Sequence, residues 1–135
     1  ILYDNLLDGY KGVERIIIPD HVKSVYYKYI VFLPPHVDRQ SVKDQLLKDY
    51  NIALPGEVYA DPCHRQPLFK KHPNKLINDH DDQFPITKKV CRHHICLPLY
   101  PGLTNQEVQY TVESLKQVLN INSEKNNNKN GNCRK

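Results

Sequence analysis

The chain has 135 residues, of which 39% are hydrophobic, a formal net charge of +4 and a mean hydropathy of −0.65. This length and composition support one domain with a small core, and we expect a small sheet covered by a few helices. No apolar run approaches the roughly 20 residues that span a bilayer, no signal-peptide pattern is present and the basic residues are scattered, so we predict neither membrane insertion nor nucleic-acid binding.

The opening residues predict the end of a helix. Leu2, Leu6 and Leu7 form an apolar stripe, and Gly9 and Gly12 can stop the helix. The chain opens without Met and already has the character of a helix interior. This start suggests a fragment of a longer protein, and processing or cloning are alternatives that composition leaves open.

A strand and a capped helix are predicted next. Residues 16–18 are too short for more than an extended connection. Residues 26–33 are rich in aromatic and β-branched side chains and predict a strand, whose near-continuous apolar run suggests cover on both faces. Asp38 is the expected N-cap of a helix through Tyr50, with Asn51 in the left-handed conformation after it. The apolar face of this helix is expected to contain Val42, Leu46, Leu47 and Tyr50.

The middle of the chain predicts a long loop. Residues 57–59 are a short strand candidate, and residues 60–82 carry repeated prolines, histidines and aspartates that predict irregular structure. A loop of that length in a compact domain is usually functional or braced against a partner. Pro85 is the expected first residue of a helix that ends near His94.

The C-terminal part predicts a strand, a turn and a capped helix. Residues 95–99 are an apolar run that ends at the turn of residues 100–102. Thr104 and Glu107 have the spacing of a capping box. The helix that follows shows Val108, Val112, Leu115 and Leu119 at helical spacing. Residues 122–135 contain almost no apolar side chain and predict a disordered polar tail.

Several segments resemble one enzyme family. Residues 95–116 resemble the C-terminal signature of the DegT-type aminotransferases, which use pyridoxal phosphate to aminate keto-sugars attached to nucleotides. A second segment, residues 56–69, resembles the family's Tyr-x-x-Pro-x-His-x-Gln-Pro motif, with Tyr59, Pro62, His64, Gln66 and Pro67 in register. Residues 3–19 and 26–33 resemble the end of the linking helix and the first strand of the family's small domain. The similarity covers residues 1 to about 120.

The resemblance implies a particular architecture. It predicts the α+β C-terminal small domain of a fold type I aminotransferase, with helices packed on one face of a small antiparallel sheet. Residues 1–12 would be the end of the linking helix, residues 13–121 the domain and residues 122–135 the tail. In the parent enzyme, this domain would join a large pyridoxal-phosphate-binding domain in a cytoplasmic homodimer. That enzyme would pass an amino group from glutamate to a keto-sugar nucleotide or a related cyclitol.

The resemblance also implies a substrate-binding set, Tyr59, His64 and Gln66. A phenol and an imidazole can donate to or accept from the hydroxyls and carbonyl of a keto-sugar. The alternative is that His64 only pins the loop by bonding a backbone carbonyl. Many family members carry His before the tyrosine, and here Val58 stands in that position, so the substrate class can differ.

The family's Schiff-base lysine belongs to the large domain, as do its phosphate-binding loop and the carboxylate that pairs with the pyridine nitrogen. Lys28, Lys88 and Lys89 do not occupy a matching position. We therefore predict that this chain alone binds no pyridoxal phosphate and is inactive.

Two other functions remain open. The first is a non-catalytic binding or interaction module of the same fold. The second is a small zinc domain that uses Cys63, Cys91, Cys96 and either His93 or His94. Zinc ligands usually come in closely spaced pairs on one turn, and here a helix–strand boundary separates Cys91 from Cys96. Without secretory context, the four cysteines, which include Cys133, are expected to be reduced thiols. Residues 79–82 are a weaker candidate cation site.

Overall fold

The structure is a computed structural model that describes residues 1–54, 56–57, 60–72 and 83–131. Its elements in chain order are α1 (Leu2–Leu6), β1 (Glu14–Arg15), β2 (Tyr29–Phe32), α2 (Arg39–Tyr50), a 3₁₀ turn (Cys63–Arg65), α3 (Pro67–Lys71), α4 (Pro85–His93), β3 (His94–Leu97) and α5 (Asn105–Gly131). The α+β class expected from the sequence is confirmed. None of the described helices combines the length and the hydrophobicity needed to cross a bilayer.

The sheet has three antiparallel strands in the order β1-β2-β3. Tyr29 pairs with Leu97, and Phe32 pairs with His94. All four residues of β3 are buried, whereas in β2 buried and half-buried residues alternate. The prediction that this strand is covered on both faces was wrong, because successive side chains point to opposite faces and only one face of β2 meets the core.

Strand β2 begins three residues later than the apolar pattern predicts. Tyr26 has a φ of 47°, and its backbone N–H donates to Ser24 Oγ at 3.1 Å. A positive φ is uncommon for a residue other than glycine and is incompatible with an extended strand. The backbone becomes regular only at Tyr29.

The core lies where the sheet meets α1, α2 and α5. Its most deeply buried side chains include Tyr3, Leu7, Val31, Val42, Leu46, Ile95, Leu97, Val112 and Leu115. Helix α5 packs against both α1 and α2. Leu47 was predicted to lie on the buried face of α2 but is 53% exposed. It follows the buried Leu46 by one position, which turns its side chain about 100° around the helix axis.

The predicted helix caps are confirmed. Asp38 accepts a hydrogen bond from the Ser41 backbone N–H at 2.6 Å, and Asn51 has the left-handed conformation with a φ of 55°. The Thr104 backbone N–H donates to the Glu107 carboxylate at 2.7 Å, and the Glu107 N–H donates to Thr104 Oγ1 at 3.2 Å. These reciprocal bonds satisfy N–H groups that have no partner within a helix.

Part of the predicted irregular loop is helical. The 3₁₀ turn and α3 both fall within residues 60–72, so the prediction of irregular structure was wrong there. Pro67 occupies the first turn of α3, where its missing N–H costs no hydrogen bond. Residues 73–82, and the 58–59 part of the predicted short strand, lie outside the described residues.

Helix α5 is longer than expected. The sequence predicts a disordered segment from residue 122, whereas the helix continues to Gly131. A helix that packing has already nucleated adds one hydrogen bond for each further residue, so it can extend beyond its apolar stripe. Residues 132–135 lie outside the described part, and the boundaries placed after residues 12 and 121 stay predictions.

Candidate functional site

The loop that carries His64 is a tight 3₁₀ turn between α2 and α3. The Arg65 N–H donates to the Pro62 carbonyl at 3.0 Å, and the Gln66 N–H donates to the Cys63 carbonyl at 3.1 Å. Pro62 is buried, whereas Cys63 is exposed and His64 is half-buried. Pro62 therefore anchors the start of the turn, and the side chains that follow Pro62 lie near the surface.

His64 is stacked on Phe84. The two ring centroids lie 4.7 Å apart, with 27° between the ring planes. Phe84 stands at the N-cap of α4, so the stack fastens the loop to the start of that helix. From the sequence, the contact considered to hold the loop was a hydrogen bond from His64 to a backbone carbonyl. In the structure, the aromatic contact with Phe84 also holds it. Such a stack can orient an imidazole without using its hydrogen-bonding nitrogens.

Gln66 lies in the same loop, and Tyr59 cannot be placed. The Gln66 side chain is exposed, and its Nε2 donates to the Asp61 carbonyl at 3.4 Å. Tyr59 lies outside the described residues. The structure thus brings two of the three expected site residues into one turn.

Phe84 is the residue of this site that the sequence prediction missed. Ser, Thr, Asp and Asn are the usual residues at a helix N-cap, because their side chains accept a backbone hydrogen bond. Phe84 precedes Pro85 at this position and makes no side-chain cap. An aromatic residue at a polar position was the available signal that it packs against another segment.

A cavity of about 480 Å³ lies beside this loop, between the start of α2 and the end of α4, and Ala60 forms part of its wall. Arg39 Nη1 donates to the Cys91 carbonyl at 2.6 Å, which satisfies one acceptor at the C-terminal end of α4. Glu57 Oε1 accepts from Lys43 Nζ at 2.8 Å and lies 3.8 Å from Arg39 Nε. These contacts tie α2 to α4 and to the segment that leads into the loop.

Two ionisable groups in this cavity are biased toward their neutral forms. Burial and the neighbouring charges of Arg92 and Lys89 lower the pKa of His93. Burial raises the pKa of the Cys91 thiol, and the nearby Arg39 only partly offsets it. His93 can therefore act as a neutral donor or acceptor near pH 7, and Cys91 is a poor nucleophile because the reactive form of cysteine is the thiolate.

The proposed zinc ligands do not come together. Cys91 and Cys96 are buried, and His94 Nδ1 lies 2.6 Å from the Val90 carbonyl, to which it donates. His94 Nε2 is buried without a partner. Among the described residues there is no group of three or more His, Cys, Asp or Glu side chains that could hold a metal ion, and residues 79–82 lie outside them.

Three of the described lysines have surroundings that do not suit a pyridoxal phosphate site. Lys28 lines a cavity of only about 70 Å³, and ligand pockets are typically about 300–1,000 Å³. Lys89 pairs with Glu14 at 3.6 Å. Lys48 lines a cavity of about 470 Å³, and its other walls include three aspartates that would repel a phosphate. That this chain alone binds no pyridoxal phosphate stays a prediction.

The chain is similar to longer proteins. It is 26% identical over 125 residues to an uncharacterized protein of Methanocaldococcus jannaschii, covering 90% of this chain and 30% of the relative. It is also 26% identical to a pleiotropic regulatory protein of Geobacillus stearothermophilus, covering 85% of this chain and 29% of the relative. The chain thus spans about a third of the length of these relatives.

The fold matches solved structures of a putative sugar aminotransferase from Streptococcus pneumoniae. The apo form has a TM-score of 0.74 at 21% identity, over 93% of this chain and 30% of the other. The PMP form has a TM-score of 0.70 at 22% identity, over 90% and 29%. At this identity the likeness establishes the fold.

The sequence profile of one family matches residues 1–116, which include both the His64 turn and the capped start of α5. The matching region is most of the chain. The chain belongs to the DegT/DnrJ/EryC1/StrS aminotransferase family.

Proposed function

We propose that this chain is the C-terminal small domain of an aminotransferase that acts on a keto-sugar nucleotide or a related cyclitol, with glutamate as amino donor. The family match over residues 1–116 is the observation that carries the proposal. The family depends on pyridoxal phosphate, which supplies the chemistry of amino-group transfer when it is bound. The chain spans about 30% of the length of its relatives, which leaves room for a large domain in the longer protein. We assign the Schiff-base lysine to that domain, as the resemblance to the family implies.

Within this domain, Tyr59, His64 and Gln66 are proposed to contact the sugar. The support comes from His64 and Gln66, which share one surface turn. His64 is held against Phe84 at 4.7 Å, so its ring direction is restricted before any substrate arrives. Fixed donors and acceptors bind a sugar more tightly than mobile ones, since less side-chain freedom is lost on binding.

The proposal also includes a homodimer in the cytoplasm. The family's sugar-aminotransferase fold supports a large partner domain, and the thiols of Cys63 and Cys91 are compatible with a reducing compartment. Sedimentation of the longer protein would test the dimer directly.

The test of the site is the substitution His64→Ala in the longer protein. Losing one positioned hydrogen bond to the sugar should slow the keto-sugar half-reaction about 10- to 100-fold, which corresponds to about 1–3 kcal/mol. The glutamate half-reaction should be nearly unchanged, because it is built around the cofactor in the large domain. Single-turnover rates of each half-reaction measure the two effects separately.

His72→Ala is the matched control. His72 is exposed after α3, and its hydrogen bonds use the backbone N–H, which alanine retains. We expect this variant to keep both half-reactions. If His64→Ala slows both halves equally, His64 supports the loop or the cofactor, and its assignment to the sugar is wrong.

A non-catalytic binding module of the same fold is the second candidate function. Large apolar side chains that remain exposed around residues 16–27 favour it. The coding sequence upstream of Ile1 separates the two candidates, since only an aminotransferase requires a large domain there.

A further inference from the structure

Exposed apolar side chains are concentrated in one segment of the chain. Eleven large hydrophobic side chains are exposed among the described residues, and five of them fall within residues 16–27. This exposed strip consists of Ile16 (46% exposed), Ile17 (84%), Val22 (48%), Val25 (92%) and Tyr27 (78%). These five side chains are clustered along the chain, and contiguous exposed apolar surface usually marks a contact with another protein or domain.

Tyr26 attaches the C-terminal end of this segment to the core. The Tyr26 ring is stacked on the Tyr29 ring, with centroids 6.5 Å apart, and the Tyr29 ring is stacked on Tyr3 at 4.7 Å. Tyr26 has a φ of 47°, which is costly for a residue with a side chain. Tyr26 thus packs inward while its neighbours Val25 and Tyr27 are exposed.

The strip also lies beside α1, at the start of the chain. The Tyr29 hydroxyl donates to Asp4 Oδ1 at 2.7 Å, and Arg15 Nη1 lies 3.5 Å from the same oxygen. Asp4 lines a small cavity together with Ile16 and Tyr26. The residues that join α1 to any preceding segment are therefore next to the strip.

We propose that the exposed strip is the surface on which the large domain of the same polypeptide docks. This inference rests on the proposed function, under which the remainder of the protein precedes Ile1. The chain spans 29–30% of the length of its relatives, so a segment more than twice its size remains to be accommodated. Since that segment joins the fold at α1, the strip is apolar surface that it reaches without a long linker.

The test is hydrogen exchange on the present chain and on the longer protein. We expect the amides of residues 16–27 to exchange at least about tenfold more slowly in the longer protein, because docking removes them from water. Val25→Asp in the longer protein should restore fast exchange in this segment. Leu47→Asp is the matched control, since Leu47 is also exposed (53%) but lies on α2, and it should leave the protection intact.

The results separate this inference from the proposed function. Borohydride trapping of a pyridoxal phosphate adduct on the longer protein tests the function by itself. A longer protein that forms the adduct but leaves residues 16–27 fast to exchange overturns the docking surface alone. Slow exchange without the adduct supports docking and overturns the function.

The remaining outcome concerns a second copy of this chain as the occupant. Sedimentation of the present chain and of its Val25→Asp variant tests for it. Self-association that Val25→Asp abolishes would assign the strip to a second copy and overturn docking of the large domain. A monomer in both cases agrees with the proposal, and a reading frame without an upstream domain overturns both proposals.

Discussion

The segment of residues 95–116 and the turn of residues 62–66 both resemble the same family, yet they differ in how much of their sequence the fold explains. In the first, the aliphatic side chains of β3 and α5 are buried, and the polar side chains of Thr104 and Glu107 cap α5. In the second, Cys63 and Gln66 are exposed, and the half-buried His64 is stacked on Phe84. Packing accounts for the first motif, so the second is the better place to look for binding.

The comparison also separates two ways of holding a segment. Leu115 and Val112 of α5 are 0% and 1% exposed and contribute through the removal of apolar surface from water. The contacts that hold the turn at residues 62–66 include two backbone hydrogen bonds, the buried Pro62 and the stack of His64 on Phe84. A segment with few buried contacts can open locally without unfolding the core.

The largest effect should come from Leu115→Ala. This substitution removes a side chain that is 0% exposed and leaves a cavity, so the free energy of unfolding should fall by about 2–5 kcal/mol. Leu68→Ala on α3 is the control in the other region, because Leu68 is 62% exposed, and it should change stability by less than about 0.5 kcal/mol. Urea unfolding measures the stability of both variants. Equal losses of unfolding free energy in Leu115→Ala and Leu68→Ala would contradict the difference proposed between the two regions.

The second prediction concerns Glu57, which lies in the segment that leads into the turn of residues 62–66 and pairs with Lys43 of α2. Burial opposes its ionisation, but the hydrogen bond from Lys43 and the charge of Arg39 outweigh burial and lower the pKa of Glu57. Its contribution to stability is therefore present above the ordinary glutamate value of 4.5 and is lost as the pH falls through the lowered folded-state pKa. Glu57→Gln should destabilise the protein by about 1–3 kcal/mol near pH 7 and flatten the loss in acid.

Urea unfolding at a series of pH values from about 7 to about 3 follows this effect through the titration range of a carboxyl. Asp44→Asn is the matched control, because Asp44 lies on α2 and accepts a hydrogen bond from Gln40 rather than from a cation. If the wild type and Glu57→Gln lose stability in parallel on acidification, the ion pair between Glu57 and Lys43 contributes nothing to the free energy of unfolding.

Thr104→Ala should have a moderate effect. Alanine removes the acceptor for the Glu107 N–H and costs about 1 kcal/mol of unfolding free energy. Thr104→Ser keeps the hydroxyl and should retain most of the stability. An unfolding midpoint for Thr104→Ala that equals that of the wild type would show that the first motif is not explained by capping.

The smallest effect should follow removal of residues 122–135. This segment has no apolar side chain except Cys133, so its deletion should change the unfolding free energy by less than about 0.5 kcal/mol. Helical circular dichroism should decrease, because α5 extends to Gly131. We expect the contacts by which α5 stabilises the core to lie before residue 120. A clear fall in the urea midpoint would show that the end of α5 also stabilises the core and would contradict this.

Features set by local chemistry were predictable from the sequence. Asp38, Asn51 and Thr104 occupy the predicted cap positions because a side-chain acceptor or a left-handed residue satisfies helix ends within a few residues. The α4 start at Pro85 was also correct, since proline fits the first turn of a helix.

Features set by contacts distant in sequence were not predictable. The positive φ of Tyr26 shortens β2 although its aromatic residues suit a strand. The Tyr26 ring is stacked on Tyr29, which is in turn stacked on Tyr3, 26 positions before Tyr29. From the sequence, His94 was considered as a possible zinc ligand, yet β3 carries it into the core. The stack of His64 on Phe84 joins residues 20 positions apart, and neither local periodicity nor spacing indicates such a pair.

The exposure of Cys63 makes the candidate site accessible to spectroscopy. Cys91 and Cys96 are buried, and burial raises the pKa of Cys91, which slows its reaction with thiol reagents. In a Cys133→Ser background, a maleimide fluorophore would therefore attach selectively next to His64. Its anisotropy would report on the motion of this turn when a sugar nucleotide is added, with no need for turnover.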